Sequence, residues 1–128
     1  MTGNTISLLV LTPRGALRDV TTPGDDVGDI LHALYHEIGC KYVDVVRLGP
    51  IDMWLDDEAL LQHESPRYNP WATYIAARHD VTGQRYFETV VFSGPADRDG
   101  HTTSMTPELR KIVTDLLGEL DDYEDATL

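Results

Sequence analysis

The chain carries one cysteine, Cys40, in 128 residues. A single thiol excludes an internal disulfide framework and fits a reducing compartment. No apolar run approaches the roughly 20 residues that a membrane-spanning helix needs. The opening segment MTGNTISLLVLTPRG has no basic stretch ahead of its apolar run, so it does not read as a signal peptide. These absences predict a cytoplasmic protein with no membrane partner. Lysine is scarce as well: Lys41 and Lys111 stand beside eight arginines. With 22 acidic residues against 10 basic ones, the formal net charge is -12. That balance argues against direct binding to nucleic-acid phosphates, which needs clustered Lys and Arg. The glycine-rich phosphate loops GxGxxG and GxxxxGK are missing, and so is a GxSxG elbow. No serine pairs with a histidine at a recognisable spacing. No catalytic residue and no cofactor is expected.

What is present reads as one small α+β domain. Apolar content is 41% and charged content 25%, as in ordinary globular proteins. Residues 6–11 (ISLLVL) form a short apolar run, expected as a strand buried on both faces. Pro13-Arg14-Gly15 turns the chain, and 16–21 should return antiparallel. Val27, Ile30, Leu31, Leu34 and Ile38 recur at helical spacing, so 25–38 is the first helix. Thr22 or Asp25 is the expected cap, and Gly39 the stop. Segments 42–48 and 51–55 predict a second hairpin around Gly49-Pro50. Asn69-Pro70 opens a short helix over 71–78, because Pro at the first helical position sacrifices no hydrogen bond. Residues 86–93 (YFETVVFS) read as a long central strand, and 94–105 as a loop tipped by Asp99-Gly100. Thr106-Pro107-Glu108 begins the last helix, whose stripe runs from Leu109 to Leu120. The expectation is a mostly antiparallel sheet of about five strands, with two longer helices and one short one. The domain spans 1–118. Residues 119–128 hold five acids and no base, and are expected as an acidic, mobile tail.

Between 51 and 77 the chain concentrates its unusual residues. Trp54, Tyr68, Trp71 and Tyr74 are aromatic, and Arg67, Arg78 and Arg85 lie close by in sequence. Core packing accounts for such rings; the functional alternative is an aromatic and arginine pocket that stacks a base or a peptide side chain. Asp56, Asp57 and Glu58 form an acidic turn. His32 and His36 stand four apart on the first helix, which is metal-ligand spacing, but both fall opposite its apolar stripe. They are therefore weak metal candidates on a solvated face. Cys40 follows a helix C-terminus, where the dipole disfavours a thiolate. Asp97, Asp99 and Gly100 resemble half of a calcium loop without its remaining ligands.

Taken together, the strand YVDVVRL, the acidic turn WLDDEALL, the segment Asn69-Pro70-Trp71-Ala72, the strand VVFSG and the loop ADRDGHTTSM resemble the domain of unknown function 3846 family. The resemblance covers about residues 6–117. It departs at Ala59, where the family turn has glycine. It implies a protein of bacteria, plasmids and phages, and it supplies no catalytic residue. By analogy it favours a non-enzymatic accessory protein of a phage or mobile element, which binds and blocks a host target as an anti-defence factor. Trp54, Asp56, Asp57, Tyr68, Asn69, Trp71 and Arg78 are the expected working surface. In one version they sequester a small nucleotide-like ligand. In another, the acidic surface mimics DNA and inhibits a DNA-binding or restriction enzyme. A third reading is a small metal-dependent hydrolase using Asp56, Glu58 and His63. The partner is thus a host protein or a small ligand, and a homodimer follows if 6–11 lies at a sheet edge.

Overall fold

The structure, a computed structural model, describes residues 5–127, with side chains through Leu120. Five strands form a single sheet: β1 (Thr5–Leu11), β2 (Leu17–Pro23), β3 (Val43–Arg47), β4 (Asp52–Asp56) and β5 (Val90–Ser93). Their order is β2-β1-β5-β4-β3, and every pairing is antiparallel. Helices α1 (Val27–Ile38), α2 (Ala59–Gln62), α3 (Pro70–Arg78) and α4 (Pro107–Thr127) complete a small α+β domain.

The apolar run of β1 explains the layering. Leu8 and Val10 point to one face and join Ile30, Leu34 and Ile38 of α1. Leu9 and Leu11 point to the other and join Ala72, Ile75 and Ala76 of α3 with Val113 and Leu117 of α4. A strand buried on both faces cannot alternate apolar and polar, which is why ISLLVL is continuous. Each fully buried Leu, Ile or Val among them contributes about 1.5–3 kcal/mol of hydrophobic stabilisation. β5 repeats the pattern, with Val91 on the α1 side and Val90 and Phe92 on the other.

Local signals behave as their chemistry requires. Gly39 ends α1 in a left-handed conformation (φ 77°). Asn69 caps α3 ahead of Pro70. The Thr106 hydroxyl accepts from the Leu109 N–H at 3.2 Å and caps α4. Two expectations need correction. Asp26 caps α1, accepting the Gly28 N–H at 2.9 Å, where Thr22 or Asp25 was expected. β5 is central but spans Val90–Ser93 only. Glu88 has φ 65°, a left-handed bend outside the extended strand conformation, and the ladder begins only at Val90. β1 is not an edge strand. β2 and β3 are the edges, and β1 is shielded further by the Ser7 N–H donating to the Ser104 hydroxyl and the Met105 N–H donating to the Ser7 carbonyl. The strand route to a homodimer through 6–11 is therefore closed. The backbone of 119–127 continues α4. The side chains of 121–128, on which the mobile-tail expectation chiefly rests, lie outside the described residues.

The loop after β5 packs tightly. A Cβ on Gly94 would lie 2.4 Å from the Thr103 hydroxyl and 2.5 Å from the Ser104 carbonyl. Gly94→Ala should lower unfolding stability by about 1–3 kcal/mol in urea titrations. Gly118→Ala, where a Cβ meets nothing within 4 Å, should not destabilise.

Candidate functional site

The seven expected surface residues do not meet at one place. Trp54 packs against the α1 side of the sheet, while Trp71 packs against the α3 and α4 side. For Trp54, strand parity decides this. Trp54 pairs with Val91, so its side chain shares Val91's face. Its indole N–H donates to the Ser93 hydroxyl at 2.9 Å. Trp71 is seated over the β1–β2 turn, so close that a Cβ on Gly15 would lie 2.6 Å from its ring. Tyr68 is exposed and its ring meets that of Phe87 at a tilt of 57°, with centroids 5.7 Å apart. The arginines are engaged as well: Arg67 with Glu88, Arg78 with Glu119, and Arg85 over the Tyr68 ring at 5.8 Å. No aromatic cage forms from this set.

Asn69 is a structural residue. It is fully buried. Its amide nitrogen donates to the Glu88 carbonyl at 2.9 Å and the Leu11 carbonyl at 3.4 Å, and its amide oxygen accepts from the Ala72 N–H at 3.0 Å. Its own backbone N–H donates to the Tyr86 carbonyl. One side chain thus ties the end of β1, the segment before β5 and the start of α3. Beside it, the buried Glu88 carboxylate accepts the Arg67 backbone N–H at 2.7 Å and the Arg67 guanidinium at 3.0 Å. Burial pushes the Glu88 pKa up, but the Arg67 hydrogen bonds and charge outweigh it, and the carboxyl ends below its ordinary value. Sequence reasoning missed this lock, because Arg67 and Glu88 are 21 residues apart with no periodic signal.

The acidic turn does gather chemistry. Asp56 is buried at the end of β4. One of its oxygens accepts the Glu58 N–H at 2.9 Å, and the other lies 3.5 Å from His63 Nε2. Asp56, Glu58, Gln62 and His63 form one wall of a cleft of about 440 Å³. Its other wall is the C-terminal turn of α1 and the residues after it: Tyr35, His36, Cys40, Lys41 and Tyr42. Burial, reinforced by the Asp56 charge, pushes the Cys40 thiol up to about 11. Cys40 is therefore a protonated wall residue at neutral pH, not a nucleophile. Asp57 is exposed just outside.

A larger cleft of about 770 Å³ lies between the start of α1 and the loop after β5. Two of its carboxylates serve local turns. Asp26 caps α1, and Asp97 accepts the Asp99 and His101 N–H groups at 2.9 Å. Those hydrogen bonds, the His101 N–H foremost, hold the Asp97 pKa below its ordinary range. Among the described residues, Asp97, Asp99 and His101 are the one group of three such side chains whose donor atoms lie within 4.8 Å of one another. All three are exposed. His101 adds a nitrogen donor beside Asp97 and Asp99, whereas calcium takes oxygen ligands, so it does not complete the half calcium loop of the sequence. His32 and His36 are exposed on α1, as their phase predicts. No third donor converges on them among the described residues. No described helix is long and apolar enough to cross a membrane.

A sequence profile described as Domain of unknown function (DUF3846) matches residues 6–118. The chain belongs to that family. The match spans all five strands but for Thr5, the whole of α1, α2 and α3 and the first half of α4, so the DUF3846 domain is the fold described above. Neither a curated protein nor a solved structure matches the chain.

Two outcomes follow for this DUF3846 domain. Asn69→Ala removes a cap and leaves the Glu88 carbonyl without its buried donor, so it should cost about 2–4 kcal/mol in urea unfolding. The Arg67–Glu88 lock sets an acid limit. Because Glu88 is lowered in the folded state, its contribution is complete above the ordinary glutamate value and is lost as pH falls through the lowered one. Thermal unfolding followed from neutral to acid pH should show a shallower acid-side loss of Tm in Glu88→Gln than in the wild type.

Proposed function

We propose that this protein is a non-enzymatic binding protein that engages and blocks a basic, nucleic-acid-handling host enzyme through its acidic surface. The setting that suits it is a phage or mobile element acting against host defence. One observation carries the reading. The net charge is -12, and at least six of the ten Lys and Arg side chains (Arg18, Arg47, Arg67, Arg78, Arg110 and Lys111) are held by the protein's own carboxylates. Internal pairing removes the cations that an anionic ligand would need, and leaves a surplus of carboxylate facing water. An acidic field of this kind steers a basic groove toward it and repels nucleic acid. The nucleotide-sequestering version has less support, since its rings lie on opposite faces of the sheet and its arginines are engaged.

A second reading, a small metal-dependent hydrolase, is favoured by one feature: Asp56, Glu58 and His63 line one cleft. Their donor atoms are not gathered within 4.8 Å of one another, so the cleft offers no ready coordination set.

The test is inhibition of purified host restriction and DNA-binding enzymes. The expected result is stoichiometric inhibition of one of them that weakens at least tenfold as salt rises from about 50 to about 300 mM. Salt-independent inhibition, or none across the panel, would count against the acidic mode. Turnover of a substrate by the protein with added zinc or manganese would establish the second reading instead.

A further inference from the structure

We propose that the cleft between the C-terminal end of α1 and α2 is a docking pocket for an arginine side chain presented by a loop of a partner protein. The proposal rests on the acidic-binding reading and names where that binding is anchored. Three features of the cleft favour a cation. Asp56 is a buried carboxylate in its wall with one oxygen toward His63 at 3.5 Å, beyond a good hydrogen bond. Glu58 lines the same wall, and Asp57 stands outside it. Lys41 is the one Lys or Arg among the residues lining the cleft, against the two carboxylates Asp56 and Glu58. The opposite wall is the C-terminal turn of α1, the negative end of a helix dipole. The upward shift of Cys40, caused by burial and by Asp56, agrees with a cleft that disfavours negative charge.

The choice among cations follows from spacing and surroundings. The acidic and imidazole groups do not converge tightly enough to wrap a bare metal ion. A guanidinium carries five donors in a planar fork and bridges acceptors that are farther apart. Tyr42, 60% exposed, offers a ring face on which that plane can stack. Next to the cleft, α2 presents Leu60 at 63% and Leu61 at 81% exposure. Exposed leucines beside an acidic pocket suit aliphatic residues flanking the arginine, which is the apolar contact expected around an anchoring side chain. A nucleic acid fits none of this, and a free small cation leaves the leucines unused.

The experiment is a backbone-amide NMR titration of the intact protein with the capped tripeptide acetyl-Leu-Arg-Leu-amide and its citrulline analogue. Citrulline keeps the shape and removes the charge. The expected result is shift changes confined to residues 35–42 and 56–63, with the arginine peptide bound about tenfold more tightly. Glu58→Gln and Leu61→Ser, both at solvent-accessible positions, should each weaken it. Equal binding of the two peptides, or shifts centred elsewhere, would overturn the proposal. Absent peptide binding with salt-sensitive enzyme inhibition intact overturns the pocket and spares the broader reading. Peptide binding in this cleft with no enzyme inhibited supports the pocket and overturns the broader reading.

Discussion

The fold depends on one buried amide. Asn69 meets three segments that the chain would otherwise keep separate, and each of its polar atoms is satisfied there. A carboxamide is suited to the place because it donates and accepts at once. Aspartate lacks the donor, and alanine lacks both groups. The Arg67–Glu88 pair surrounds this amide and fixes the left-handed bend at Glu88. The bend ends the segment that precedes β5 and delivers Val90–Ser93 into the middle of the sheet. The position of the central strand is thus set by polar contacts outside it, and its hydrophobic burial follows.

Much of the fold was legible in the sequence, because its signals are local. The continuous apolar run of β1 announced burial on two faces. Pro70 and Pro107 marked helix starts, and Gly39 marked a stop. What stayed hidden depends on distant partners. Asn69 reads as an ordinary cap until Leu11 and Glu88 are placed beside it. Trp54 and Trp71 look like neighbours in a stretch of 18 residues, yet strand parity puts the Trp54 ring on the α1 side of the sheet while α3 carries Trp71 on the other. The cap of α1 was expected at Thr22 or Asp25 and lies at Asp26, one residue past a chemically identical neighbour. The acidic turn was legible as a cluster. The wall that completes its cleft comes from α1, some 20 residues earlier in the chain, and no spacing rule connects the two.

Charge and packing divide the surface between them. Ion pairs such as Arg110–Asp19 and Arg18–Glu37 tie the edge strand β2 to the helices on both faces, one helix on each side. Exposed pairs of this kind add little stability singly. They also engage cations, on a chain whose net charge of -12 keeps the overall field negative. The proposed arginine pocket is the place where this field coincides with a recess and with uncovered leucines.

The order β2-β1-β5-β4-β3 has a consequence for synthesis. Each hairpin, β1–β2 and β3–β4, closes within its own stretch of chain. Neither borders the other in the sheet. They are joined only when β5, a strand of four residues near position 90, inserts between them. A nascent chain leaving the ribosome therefore carries two separate hairpins, each with an open inner edge. The strand that unites them emerges last, and only then can α4 cover its face of the core. Such a late keystone raises the sequence separation of the decisive contacts and slows folding relative to a sheet built in chain order. It also makes assembly all-or-none, since no earlier fragment contains a complete sheet.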